Sequence, residues 1–119
     1  MPSDSISAID ADGHVQEPPD AWDRLDAAFR PYAPRIAFDS QGRVRQFIGG
    51  ELRPYIPVPE TGWDIPAGGH DPKARLADMD DQGLQRSLLF PTTGLMFAGI
   101  GRTDIQVALC RAYNDWLYD

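Results

Sequence analysis

Two side chains able to bind a metal stand two residues apart in Asp12-Gly13-His14. They close a short run, Ile6 to His14, that begins apolar and turns polar at its C-terminal end. In an extended chain alternate residues share a face, so Asp10, Asp12 and His14 are expected on one side. A carboxylate and an imidazole that converge can hold a divalent ion, which lowers the pKa of a bound water or polarises a substrate oxygen. Gly13 between them leaves space for other groups to come close. The same dipeptide spacing also serves as a turn cap beside a surface histidine, so the pair needs a strand end to give it meaning. Glu17, three residues on, is a candidate to orient a metal ligand or to touch substrate; a solvated loop carboxylate before Pro18 is the plain alternative.

Other reactive types have simpler readings. His70 lies in a Gly-rich loop and is expected to face solvent. Arg75 and Asp78 are three apart on a predicted helix, the spacing of a surface ion pair. Cys110 is the one cysteine, which excludes an internal disulfide; its place in an apolar helical pattern predicts a buried, inert thiol. Trp63 and Phe97 fall in loops, where they would border a pocket or pack locally.

The elements that must position these groups alternate. A first strand is expected over 5–14, and Glu17-Pro18-Pro19 ends it. Asp20 to Phe29 carries Trp22, Leu25, Ala28 and Phe29 at helical spacing, with Asp20 as N-cap, and Pro31 stops it. About 35–57 reads as a small antiparallel β insertion of three strands, Ile36–Phe38, Val44–Ile48 and Leu52–Ile56, with Gly49-Gly50 as a two-residue turn. A Pro- and Gly-rich loop leads to Asp71-Pro72, an N-cap followed by proline at the first helical position. The helix is expected over about 71–83, with Leu76 and Met79 as its apolar side and Gly83 as C-terminal cap. A second strand over about 86–91 is continuously apolar, the pattern of a strand covered on both faces in a parallel sheet. A last helix over about 103–119, capped by Thr103 or Asp104, has an apolar stripe from Ile105 to Trp116. Strand, insertion, helix, strand, helix is the order of a parallel α/β protein.

Composition excludes some classes of function. The net charge of −7, from 11 basic and 18 acidic residues, opposes phosphate backbones and anionic membranes. No apolar run reaches the ~20 residues that span a bilayer, and Met1-Pro2-Ser3-Asp4 has no signal-peptide character. A cytoplasmic protein with a small-molecule substrate is the expectation, and a homo-oligomer is compatible with it. The 119 residues suit one small domain. Leu117-Tyr118-Asp119 still lies within the helical pattern, without Gly, Asn or Pro, so the chain is expected to be cut off before its natural end; a frayed natural terminus is the alternative.

At this point the sequence resembles a family. The stretch from Ile9 to Pro18 is similar to the opening of the amidohydrolases that include aminocarboxymuconate-semialdehyde decarboxylase. Asp71 to Gly83 is similar to the family's first barrel helix, Leu88-Leu89-Phe90-Pro91-Thr92 to its second strand, and Ala112 to Leu117 to the next helix. The resemblance implies the N-terminal part of a (β/α)₈ TIM barrel with a mononuclear metal site, where Asp12 and His14 are the first strand's ligands. Further ligands, a later His and Asp, have no match here. The common pattern has His where Asp12 stands. A carboxylate is the harder ligand, which keeps zinc in play and favours manganese or magnesium more than a histidine pair would. The activity implied is hydrolysis, or decarboxylation without oxidation, of a small carboxylated or carbonyl-containing substrate. The competing expectations are a catalytically inactive or partner-dependent piece of such an enzyme, and a metal-independent α/β binding module.

Overall fold

The computed structural model describes residues 8–53 and 64–119. In chain order the regular elements are β1 (Ala8–His14), β2 (Arg35–Phe38), β3 (Val44–Ile48), β4 (Glu51–Leu52), α1 (Pro72–Gln82), β5 (Leu84–Phe90) and α2 (Thr103–Tyr118), with short 3-10 turns between them. The architecture is mixed α/β. β1 and β5 form a parallel pair, and β2, β3 and β4 form an antiparallel sheet in that order. Trp63 and the segment expected to complete the third insertion strand, Pro54–Ile56, lie outside the described residues.

The parallel pair runs from Ala8 beside Leu84 to His14 beside Phe90. Between Asp10↔Ser87 and Gly13↔Leu89, β1 contains one residue more than its partner. This is a β-bulge, and an odd insertion changes which side chains share a face. The alternation expected to put Asp10, Asp12 and His14 on one face is interrupted there, although Asp10 and His14 still border one cleft. Asp10 turns to its own local partners, accepting from the Asp12 backbone N–H at 3.0 Å and from Ser87 Oγ at 3.0 Å. The Asp12 amide first, and then the Ser87 hydroxyl, hold its carboxyl below the usual range. A Cβ at residue 13 would collide with Ser87 Oγ and Asp10 Oδ2, which is why this position needs glycine.

α1 follows its local signals. Asp71 Oδ1 accepts from Lys73 N at 2.8 Å and Ala74 N at 3.4 Å, Pro72 opens the helix, and Gly83 closes it at φ 70°. None of its residues is buried, and Leu76, expected on its apolar side, is 61% exposed. The cover expected over β5 is also missing: Leu88 is 58% exposed and Ile9 on β1 63%. Among the described residues each of these strands pairs only with the other, so their outer edges and much of both faces are open.

The core lies elsewhere, where the 3-10 segment after β1, the turn after β5 and Ile48 of β3 meet α2. Ile105, Leu109 and Ala112 of α2 are buried against Ala21, Trp22, Leu25, Ile48, Phe97 and Ile100. Ala108, Tyr113 and Trp116 pack along the edge of this cluster. Phe97 thus belongs to the core, edge-on to Trp22 at 5.6 Å. Asp20 to Phe29 does not form the expected α-helix. Pro18 is extended, Pro19–Arg24 makes a 3-10 helix without a side-chain cap, and Leu25 leaves it extended. Residues three apart align in a 3-10 helix, so Trp22 and Leu25 still reach the core.

Two further expectations fail for local reasons. α2 starts without a side-chain cap from Thr103 or Asp104; Asp104 is bound instead by the Arg102 guanidinium, which holds its carboxyl low. Cys110 is exposed, because it lies off the Ile105–Leu109–Ala112 stripe. In the insertion, Gly49 and Gly50 have φ of 67° and 79°, the conformation a two-residue type I′ turn requires.

Candidate metal-ligand pair at the end of the first strand

The bulge leaves Asp12 and His14 together. His14 Nε2 is 3.4 Å from Asp12 Oδ1. The other ring nitrogen, Nδ1, is 3.0 Å from the Pro91 carbonyl oxygen, a group that can only accept. Each ring nitrogen of His14 thus faces an oxygen, Nδ1 that of Pro91 and Nε2 that of Asp12. The ring also leans on Phe90, with centroids 6.0 Å apart. Asp12 is open, with 86% of its side chain exposed against 36% for His14.

Both donors suit a divalent ion. Nitrogen and oxygen ligands at about 2.0–2.2 Å in a tetrahedron lie roughly 3.4 Å apart, and this pair is separated by 3.4 Å. Among the described residues no group of three His, Cys, Asp or Glu side chains comes together for a metal.

The chain leaving β1 is tied to the chain leaving β5. Val15 N donates to Phe90 O at 2.9 Å, and Thr92 Oγ1 donates to Val15 O at 2.6 Å. Glu17 completes the join. It is buried, not solvated, at 7% exposure. Its Oε2 accepts from Thr92 N at 3.3 Å and Thr93 N at 3.0 Å, and its Oε1 accepts from Gly94 N at 3.0 Å. Three backbone donors compensate for burying the carboxylate. Burial, and then the Glu17 charge, raise the Tyr113 hydroxyl above the ordinary tyrosine value.

The remaining candidates separate. His70 is exposed. Arg75 makes no ion pair with Asp78 among the described residues; it donates to the backbone carbonyl of His14. Asp78 Oδ2 instead sits against Gly68. A polar cleft between α1 and the parallel strands is lined by Asp10, His14, Arg75, Asp78 and Ser87.

Sequence reasoning passed over Arg53. Its Nε and Nη2 are buried with no hydrogen-bond partner among the described residues. Nη1 is 3.5 Å from where a Cβ on Gly99 would be, which sets the guanidinium beside the turn that follows β5. No spacing or neighbouring motif marks such a residue. Only the tertiary arrangement shows that, among the described residues, these two nitrogens have no partner.

No family model matches the sequence, and no curated protein does. A solved structure does match: a crystal structure of an amidohydrolase from Mycobacterium avium subsp. paratuberculosis K-10, with a TM-score of 0.69 and 25% sequence identity. The match covers 93% of this chain. The chain is similar to part of an amidohydrolase. It spans 37% of that amidohydrolase's length. Among the described residues no helix is long and apolar enough to cross a membrane.

Proposed function

We propose that this chain provides the first strand, and its metal-ligand pair, of a metal-dependent amidohydrolase-type (β/α)₈ barrel acting on a small carboxylated or carbonyl-containing molecule. The observation that carries the reading is His14 Nε2 lying 3.4 Å from Asp12 Oδ1, at the C-terminal end of a parallel strand. Barrel enzymes place their chemistry at that end. A zinc, manganese or magnesium ion held by Asp12 and His14 would supply Lewis-acid polarisation of a substrate oxygen. Asp12 would contribute an oxygen donor, and His14 a nitrogen donor on a ring held by Pro91. Hydrolysis and non-oxidative decarboxylation both use these roles. The reading carries a cytoplasmic location and a small-molecule partner, and the exposed apolar strands leave room for a homo-oligomer.

The test is calorimetric titration of zinc and of manganese into chelator-treated protein. Weak binding is expected from two protein donors, falling at least tenfold in Asp12→Ala and in His14→Ala. Binding that both variants leave unchanged, or no binding to the parent chain, would remove the metal from the reading.

The second reading is a chain inactive alone, or active only with a complementary chain. It is favoured by the two-donor site and the open edges of β1 and β5. Turnover of any member of a panel of small carboxylic acids and amides, abolished by Asp12→Ala and His14→Ala, would overturn it.

A further inference from the structure

We infer that Arg75 is a positioning residue for the Asp12–His14 pair: from α1 it holds the peptide that follows His14, and so sets where the imidazole stands. Its Nη2 donates to the His14 carbonyl oxygen, a contact across 61 residues of sequence. The N–H of the same peptide unit, that of Val15, donates to Phe90 O at 2.9 Å. The unit is planar and trans, so its C=O and N–H point in opposite directions. It is therefore gripped by β5 on one side and by a helix side chain on the other, and turning it would break both bonds. The direction of the His14 Cα–Cβ bond follows from that backbone. Among the described residues β1 has no strand on its other side, so no ladder bond serves the His14 carbonyl there. Arg75 fills the place of a neighbouring strand, and Gly69 O does the same for Gln16 N at 2.7 Å. A guanidinium suits the task, because it stays charged and a charged donor makes the stronger hydrogen bond. Arg75 is half-buried in the cleft that it shares with His14, and it does not make the surface pairing with Asp78 that their spacing offers. Its charge would repel a metal ion bound nearby, whereas its grip on the strand end would favour one. The two effects have opposite signs and can be separated.

Arg75 holds the strand end in the metal-free chain, while its value to a metal site rests on the function proposed above. The first readout is therefore NMR of chelator-treated protein, following the NOE between the carbon-bound ring protons of His14 and the Phe90 ring, whose centroids lie 6.0 Å apart. Only two histidines are present, and His70→Gln assigns the signals. The parent chain is expected to show this NOE together with slow hydrogen exchange at the Val15 amide. Arg75→Met keeps the apolar stem and removes the donor, and the NOE is expected to be lost. Arg75→Lys keeps a charged donor and is expected to restore it. A parent chain without the NOE, or a folded Arg75→Met that retains it, overturns the inference; a residue that merely stabilises α1 predicts that second result. Should Arg75→Met fail to fold, Arg75→Gln replaces it, its side chain too short for the carbonyl, with the same expected loss and the same refuting result. Calorimetric zinc affinity is the second readout, expected to fall about tenfold in Arg75→Met and to stay near the parent value in Arg75→Lys. Loss of a repelling charge by itself predicts tighter binding, so an affinity that rises or holds in Arg75→Met also counts against the inference. Absence of zinc binding in the parent chain sinks the metal reading, and the NOE then decides whether Arg75 positions the ring.

Discussion

Gly49→Ala should cost this chain far more than Gly83→Ala, and the difference can be worked from what surrounds each. Both residues have positive φ, 67° and 70°. Placing an L-residue there costs about 1–2 kcal/mol, offset by about 0.4–1 kcal/mol of lost freedom in the unfolded chain. Nothing lies within 4 Å of a Cβ on Gly83, so that variant should lose about 1 kcal/mol. A Cβ on Gly49 would meet Ile100 Cδ1 at 2.9 Å and Cγ1 at 3.0 Å. Ile100 is 3% exposed and packed in the core, so it has little room to retreat. Overpacking of this kind adds about 1–3 kcal/mol, for a total of roughly 2–4 kcal/mol. Urea unfolding of both variants, and of Gly49→Ala combined with Ile100→Ala, would measure this. The clash predicts that Ile100→Ala, destabilising by itself, costs about 1–3 kcal/mol less when Gly49 is already alanine. Equal losses in Gly49→Ala and Gly83→Ala, with additivity in the double variant, would refute the reasoning.

Three further outcomes are expected. Leu109→Ala should lose about 2–5 kcal/mol in the same assay, because the side chain is fully buried at the centre of the core and leaves a cavity. Asp39 accepts from the backbone of Gln41 and Arg43 and from the Arg43 and Arg45 guanidinium groups; the Arg43 amide leads in lowering its pKa to about 2 from an ordinary 3.8. Its folded pKa is the lower one, so its stabilisation is full above about pH 4 and fades as pH falls toward 2; the urea midpoints of the parent and Asp39→Asn should differ at pH 7 and converge over that window. Cys110 should react with a thiol reagent in the native state with one equivalent consumed, whereas a thiol that reacts only after unfolding would contradict its exposure.

The residues show why part of this was legible in the sequence. Asp71, Pro72 and Gly83 act on their own neighbours, through an N-cap, a fixed φ and a left-handed cap, so their pattern suffices. The Gly49-Gly50 turn and the α2 stripe are likewise local or periodic. Asp12 and His14 could be singled out because two residues at a strand end need only each other. The β1 bulge was hidden, since it exists only in register with β5. The Pro18-Pro19 start was read as the end of one element and not as the seed of a 3-10 turn, a choice that packing of Trp22 and Leu25 decides. The buried bonds of Glu17 and the burial of the Arg53 guanidinium depend on groups far away in sequence, and composition carries no trace of them.

The hydrogen bond between His14 and Pro91 closes a loop of 77 residues. Loop-closure entropy grows only with the logarithm of length, so doubling that loop would cost about 0.6 kcal/mol. That is less than a typical single hydrogen bond contributes. The strand ends and the turn from Pro91 to Gly94 therefore leave little latitude, whereas the intervening segment is free to change in length. Its antiparallel sheet can be extended, trimmed or exchanged during evolution at small entropic cost to the Asp12–His14 pair, provided the side that packs on Ile100 and α2 is kept.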